Sequence, residues 1–153
     1  MMYPNAKNDT SFKYPPGRQL KLEGIISEEE MRHPTMLDAD GESFLTVIHN
    51  GSASGVTIGR ATGIASYTRR YTDELEGKAK EWSIIPYDNH CGPFSLKGDS
   101  GAVVVDGRGR IGGIITGGDG KTESSDMTYV TPIWFLQKRI KGNGFPDACF
   151  SSS

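Results

Sequence analysis

The sequence predicts an all-β fold, and three observations support this: short β-branched runs, a high glycine content, and turn signals between the runs. The chain of 153 residues contains 20 glycines and 8 prolines, together about 18% where about 12% is usual. Ten of the glycines lie between Gly92 and Gly120. Because an interior glycine costs a helix about 1 kcal/mol relative to alanine, this stretch favours strands and tight turns.

Strand-like segments recur from residue 44 onwards, separated by turn residues. Asn50-Gly51 marks one turn, and Gly107-Arg108-Gly109 has the length and composition of a three-residue hairpin loop. The charged stretch over residues 69–80 is interpreted as a solvent-exposed hairpin. Short strands with hairpin-type links and no intervening helices indicate an antiparallel barrel or sandwich. The predicted strands are Phe44–His49, Gly55–Arg70, Trp82–Tyr87, Ala102–Asp106, Arg110–Thr116 and Met127–Val130.

A convincing helix pattern follows the last predicted strand. Thr131 is expected to cap this helix, and Pro132 suits its first helical position. Apolar residues then recur from Ile133 with helical spacing, and basic residues follow near the end, where they favour the helix dipole. Gly142 is expected to stop the helix.

The length predicts one domain. Residues 1–43 are interpreted as an irregular N-terminal segment with at most one helical turn after Ser27. Residues 44–142 are interpreted as the β domain, and residues 143–153 as a flexible tail.

Composition and charge exclude several classes of protein. With 17 basic and 19 acidic residues the net charge is −2, so neither nucleic acid nor an anionic membrane is an expected partner. The longest apolar runs are too short to span a bilayer, and the N-terminus lacks the apolar core of a signal peptide. We therefore expect a cytoplasmic protein in which Cys91 and Cys149 are free thiols. Their spacing is not that of a zinc site, and no metal or cofactor is expected.

The sharpest chemical motif is Gly98-Asp99-Ser100-Gly101. A serine hydroxyl is a weak nucleophile at neutral pH, so its use requires exposure, a nearby base, and N–H donors aimed at the developing oxyanion. Glycine on both sides allows a tight turn that presents the hydroxyl of Ser100 and directs neighbouring N–H groups the same way. The alternative is a simple Asp-Ser turn without chemistry.

Three stretches around this motif resemble the second barrel of chymotrypsin-like (trypsin-like) serine proteases. They are residues 94–105, 111–115 and 128–133. The segment Gly51–Gly63 is also similar to the start of that barrel in uncharacterised trypsin-like proteins of fungi. The resemblance covers roughly residues 44–141 and implies an antiparallel six-stranded barrel with a C-terminal helix. In this interpretation residues 1–43 could also be a linker between two barrels.

The resemblance implies roles for individual residues. Ser100 takes the position of the nucleophile, and the backbone N–H groups of Gly98 and Ser100 would line the oxyanion hole. Phe94 takes the position at the base of the primary specificity pocket, where it argues against a preference for basic side chains. The family role of the residue at Asp99 is structural. The resemblance also implies a strand that pairs with the substrate backbone, formed by Thr116, Gly117 and Gly118.

One departure from the family pattern affects the expected activity. In chymotrypsin-like enzymes the catalytic histidine and aspartate precede the serine and belong to the first barrel. Only 99 residues precede Ser100, which is too few for that barrel and the start of the second. The surrounding sequences of His33, His49 and His90 favour surface or core histidines over a general base. We therefore expect a serine endopeptidase-like domain that lacks the His/Asp-bearing barrel and is inactive as this chain alone.

Two functions remain open at this point. The first is peptide-bond hydrolysis of a peptide or protein substrate by Ser100, with the base supplied by a complementary first barrel. The second is a non-catalytic pseudo-protease that acts as an interaction module or homodimer, because a barrel without its mate exposes an apolar face.

Overall fold

The structure is a computed structural model that describes residues 20–38, 40–72, 75–88, 90–119 and 127–150. The expectations for residues 1–19 and for the last three residues of the tail lie outside these ranges. No helix within them has the length and apolar character that crossing a membrane requires.

The elements of the described residues are seven strands, with one helix before the first strand and one after the last. In order they are α1 (Glu28–Arg32), β1 (Met36–Leu37), β2 (Ser43–Gly51), β3 (Gly55–Thr72), β4 (Leu75–Pro86), β5 (Val103–Asp106), β6 (Ile111–Asp119), β7 (Met127–Pro132) and α2 (Ile133–Gly142).

Six of these strands form a closed antiparallel barrel. The order along the sheet is β2-β3-β4-β7-β6-β5, and a further pairing of β2 with β5 closes it. In that closing pair Ile48 lies opposite Val105. The predicted all-β fold, an antiparallel six-stranded barrel with a C-terminal helix, is therefore confirmed, and closure decides between the barrel and the sandwich.

Strands β3 and β4 are longer than the sequence pattern suggested. They continue beyond the barrel as a two-stranded ribbon in which Arg70 lies opposite Gly77. The charged hairpin expected over residues 69–80 is present, but its residues belong to the strands themselves. Hydrophobic alternation marks only the part of a strand that faces a core, so strand pairing can continue past the apolar signal.

The barrel core is apolar and includes a contribution from the N-terminal segment. Ile26 is fully buried, and its N–H donates to the carbonyl of Ile111 at 2.9 Å. The predicted helical turn follows Ser27, whose hydroxyl caps it. Arg110 Nη1 then lies 2.7 Å from Glu30 Oε1. The segment is thus held against the start of β6.

The C-terminal helix begins one residue later than predicted. Pro132 is the N-cap residue and makes no capping hydrogen bond with its side chain. The Thr131 hydroxyl, expected to cap the helix, instead donates to Glu81 Oε2 at 2.9 Å. Gly142 is the last helical residue and Asn143 the C-cap. A buried carboxylate on β4 competes for the threonine hydroxyl, and a local sequence pattern does not reveal such a partner.

Candidate active site

The Ser100 turn lies in the connection that leads into β5. Gly98 has a φ of +115° and Gly101 a φ of +92°, which side chains rarely tolerate. The Asp99 N–H donates to the carbonyl of Leu96 at 3.0 Å and the Gly101 N–H to that of Ile115 at 2.8 Å. Between the two glycines Ser100 is exposed. The turn therefore presents this serine to solvent, as the motif predicts.

The side chain of Asp99 is buried beneath the Ser100 turn and fixes the turn by accepting hydrogen bonds from backbone N–H groups. It is 1% exposed, and its Oδ1 accepts from the N–H of Ala53 at 2.7 Å and of Ser54 at 3.2 Å. Its Oδ2 accepts from the N–H of Leu96 at 2.8 Å. Burial raises the pKa of this carboxyl, but the hydrogen bonds from Leu96, Ser54 and Ala53 outweigh burial and hold the pKa far below its usual value. Asp99 is therefore a buried, ionised anchor.

The N–H groups expected to form the oxyanion hole are available for a ligand. Within the described ranges, no hydrogen bond uses the amide N–H of Gly98 or of Ser100. Gly98 and Ser100 are both exposed residues. Backbone donors of this kind stabilise an oxyanion because they are fixed before the reaction begins.

Phe94 lies at the start of the same loop with its ring inside the barrel. Its side chain is 1% exposed, and its ring centroid is 4.7 Å from that of His49. Its carbonyl accepts two hydrogen bonds, one from His49 Nε2 at 2.7 Å and one from Thr57 Oγ1 at 2.5 Å. Gly59 makes room for the ring, because a Cβ there would lie 2.5 Å from Phe94 Cδ2. The ring thus fills core space beneath the loop.

The predicted substrate strand lies beside the Ser100 turn. Residues 116–118 belong to β6 and follow Ile115, which bonds to the turn. Strand β5 starts only at Val103, opposite Ile114, so β6 continues beyond the first residue of β5. The neighbouring loop reaches the same place, because Ser95 Oγ lies 2.7 Å from Oγ1 of Thr128, the register partner of Gly118 on β7. The fold therefore brings the predicted nucleophile and strand together.

None of the histidines forms a hydrogen bond with Ser100 within the described residues. His33 caps the end of α1 and His90 lies in the β4–β5 connection, both exposed. His49 is only 2% exposed. Because a carbonyl oxygen can only accept, the 2.7 Å contact requires that His49 Nε2 carries the proton. Its Nδ1 is buried without a partner, so no nucleophile reaches the ring atom that could act as a base.

Sequence reasoning missed the residues that hold the turn in place. Ala53 and Ser54 supply backbone N–H groups, which carry no sequence signature. Gly51 gave a partial signal as a turn residue, but its second role is steric. A Cβ at that position would lie 2.2 Å from Asp99 Oδ1 and 2.8 Å from His49 Cε1.

No group of three or more histidine, cysteine, aspartate or glutamate side chains in the described ranges is arranged to hold a metal ion. Cys91 and Cys149 are free. The thiol of Cys91 is partly buried, and burial raises its pKa, as does the hydrogen bond to Asp88.

Comparison with known proteins yields similarity to solved structures alone. No protein-family model matches the chain, and no curated protein matches it significantly. The chain is similar to a chymotrypsin of Cellulomonas bogoriensis, with 18% identity, a TM-score of 0.46, and coverage of 74% of this chain and 52% of that one. It is also similar to protease A of Thermobifida fusca, with 20% identity, a TM-score of 0.46, and coverage of 71% and 50%. The chain spans about half the length of the solved structures it matches.

Proposed function

We propose that this chain is a serine endopeptidase-like domain with a chymotrypsin-like barrel, in which Ser100 is the nucleophile for peptide-bond cleavage. The observation that carries the proposal is the turn itself. It combines an exposed serine, two glycines with positive φ, and a buried aspartate fixed by three backbone N–H groups.

The chemistry follows from that arrangement. Ser100 Oγ attacks the scissile carbonyl carbon while a base removes its proton, and the carbonyl oxygen becomes an oxyanion. The N–H groups of Gly98 and Ser100 stabilise this oxyanion. Residues 116–118 pair with the substrate backbone and orient it. The tetrahedral intermediate then collapses: the C–N bond breaks, and the base returns its proton to the leaving amine, which is the first product. Water hydrolyses the remaining acyl-enzyme, which releases the carboxylic acid product and regenerates the Ser100 hydroxyl.

The base is the part that the described residues do not supply. His49 donates from Nε2 and its other nitrogen is buried. A histidine and its orienting carboxylate would therefore come from a complementary first barrel. Without a base, the turn retains its oxyanion donors and its binding groups, and catalysis falls by several orders of magnitude.

The test is covalent labelling with a fluorophosphonate probe, followed by identification of the labelled peptide. We expect slow labelling of Ser100 that is accelerated by added imidazole, and no labelling of Ser100→Ala. Ser52→Ala is the matched control, because Ser52 is an exposed serine in the β2–β3 turn outside the proposed machinery. Labelling of other serines, or none with imidazole in a folded protein, would contradict the proposal.

A non-catalytic interaction module is the second candidate, and one surface favours it. A groove of about 410 Å³ lies between α1, the base of the β3–β4 ribbon and the start of α2, and Tyr67, Trp82 and Phe135 are among its lining residues. Tyr67 is 76% exposed. An aromatic groove of this kind is typical of an interaction surface. A folded chain that resists labelling while forming a stable dimer would favour this function.

A further inference from the structure

The Ser100 turn is tied to the β2–β3 hairpin at two separate points. The first is the carboxylate of Asp99, which accepts from the N–H groups of Ala53 and Ser54. The second is the carbonyl of Phe94, which accepts from His49 and Thr57. Only the short segment between Phe94 and Asp99 separates these two contacts. Each contact therefore limits movement of the turn that the other contact alone would allow.

The main hydrogen bond of the His49 ring is the one to the carbonyl of Phe94. The ring is 2% exposed and packs edge-on against the ring of Phe94. Its contact with Ser54 Oγ is 3.5 Å long, which contributes little, and its Nδ1 has no partner. Burying a polar group is costly unless a hydrogen bond compensates. The 2.7 Å bond to the Phe94 carbonyl is the strong bond that compensates it.

We propose that His49 is a positioning residue that orients the Ser100 turn by holding the Phe94 carbonyl; this rests on the proposed function of Ser100. The peptide group after Phe94 leads into Ser95, and Ser95 Oγ contacts Thr128 beside Gly118. Fixing that peptide therefore sets the distance between the oxyanion donors and the substrate strand. A displacement of about 1 Å in such a site costs on the order of 100-fold in rate.

Three substitutions of His49 distinguish the effect of its N–H donor from the effect of its ring volume. His49→Phe has a similar ring without a donor, and His49→Asn places its amide nitrogen near the position of Nδ1. His49→Gln places its amide nitrogen near the position of Nε2, where it can donate to the Phe94 carbonyl. With fluorophosphonate and imidazole, we expect His49→Phe and His49→Asn to lower the maximal labelling rate of Ser100 by roughly 10- to 100-fold. His49→Gln is expected to retain most of the rate.

A second measurement reports on the turn without relying on reactivity. Amide hydrogen exchange at Asp99 and Gly101 is expected to speed up in His49→Phe and to recover in His49→Gln, with exchange at Val130 in the barrel unchanged. Thr57→Val removes the other donor to the same carbonyl, and we expect a smaller change in the same direction. Should His49→Phe fail to fold, His49→Asn provides the test, because it also lacks a donor near the position of Nε2.

The outcomes distinguish the two proposals. An unlabelled wild type contradicts the proposed function of Ser100, while the exchange measurement still decides whether His49 positions the turn. Unchanged exchange at Asp99 and Gly101 in a folded His49→Phe or His49→Asn variant overturns the role of His49. A glutamine variant that behaves like the phenylalanine variant overturns it as well, because the donor then makes no difference.

Discussion

Replacing Gly51 by alanine tests the packing beneath the Ser100 turn most directly. The added Cβ would lie 2.2 Å from Oδ1 and 2.4 Å from Cγ of Asp99, and 2.8 Å from Cε1 of His49. An ordinary contact for such an atom is about 3.4 Å or more, so the carboxylate would have to retreat by about 1 Å. A Cβ at position 51 would therefore displace both Asp99 and His49, the two side chains that anchor the turn.

The expected cost follows from the bonds that such a retreat breaks. Oδ1 of Asp99 accepts from Ala53 and Ser54, and a hydrogen bond to a charged group contributes about 1.5–3 kcal/mol. Over-packing alone typically costs about 1–3 kcal/mol. Partial relaxation reduces the combined effect, and we expect Gly51→Ala to lower the free energy of unfolding by about 3–5 kcal/mol. The melting temperature is expected to fall by roughly 10 °C.

Urea unfolding of the two proteins measures this difference. Gly92→Ala is the matched control, because a Cβ at Gly92 would have nothing within 4 Å, and no loss of stability is expected there. In an Asp99→Ala background the cost of Gly51→Ala should be smaller, since the clashing carboxylate is absent. A Gly51→Ala variant within about 0.5 kcal/mol of wild type would refute the reasoning.

Two further predictions concern buried charges. The pKa of Asp99 is lowered on folding, so its stabilisation is complete above the unfolded-state pKa near ~4 and is lost as the pH falls below it. The urea midpoint of the wild type should therefore fall more steeply from about pH 5 to about pH 3 than that of Asp99→Asn, and parallel profiles would contradict this. Arg110→Met removes the ion pair to Glu30 and the guanidinium partner of the buried Asp106; we expect a loss of about 1–3 kcal/mol in urea unfolding. Arg108→Met, at an exposed position in the same hairpin, should change the free energy of unfolding little. Equal effects of the two substitutions would show that the ion pairs of Arg110 do not contribute to stability.

The sequence predicted the core segments of the strands well because apolar alternation and glycine turns are local signals. Strand β2 was expected over Phe44–His49 and is found over Ser43–Gly51. The start of α2 was missed by one residue because Thr131 bonds to Glu81 across the sheet. These two residues are 50 positions apart in the chain. No local pattern encodes such a pairing.

The candidate site shows the same division. Ser100 and its flanking glycines form a contiguous motif, and their turn conformation follows from glycine's tolerance of positive φ. The anchors of that turn, in contrast, come from a hairpin more than 40 residues earlier in the chain. Backbone donors and a buried histidine carry no spacing that links them to the motif.

By itself, the sequence determined where the core segments of the barrel strands lie, where the chain turns, and which serine lies between Gly98 and Gly101, because each of these depends on neighbours in the chain. Only the tertiary structure decided that the sheet closes through β2 and β5, and that His49 donates to the Phe94 carbonyl instead of serving Ser100 as a base. Strand order and side-chain burial set which distant polar groups meet. Those contacts fix which nitrogen of His49 carries the proton and keep the carboxylate of Asp99 ionised.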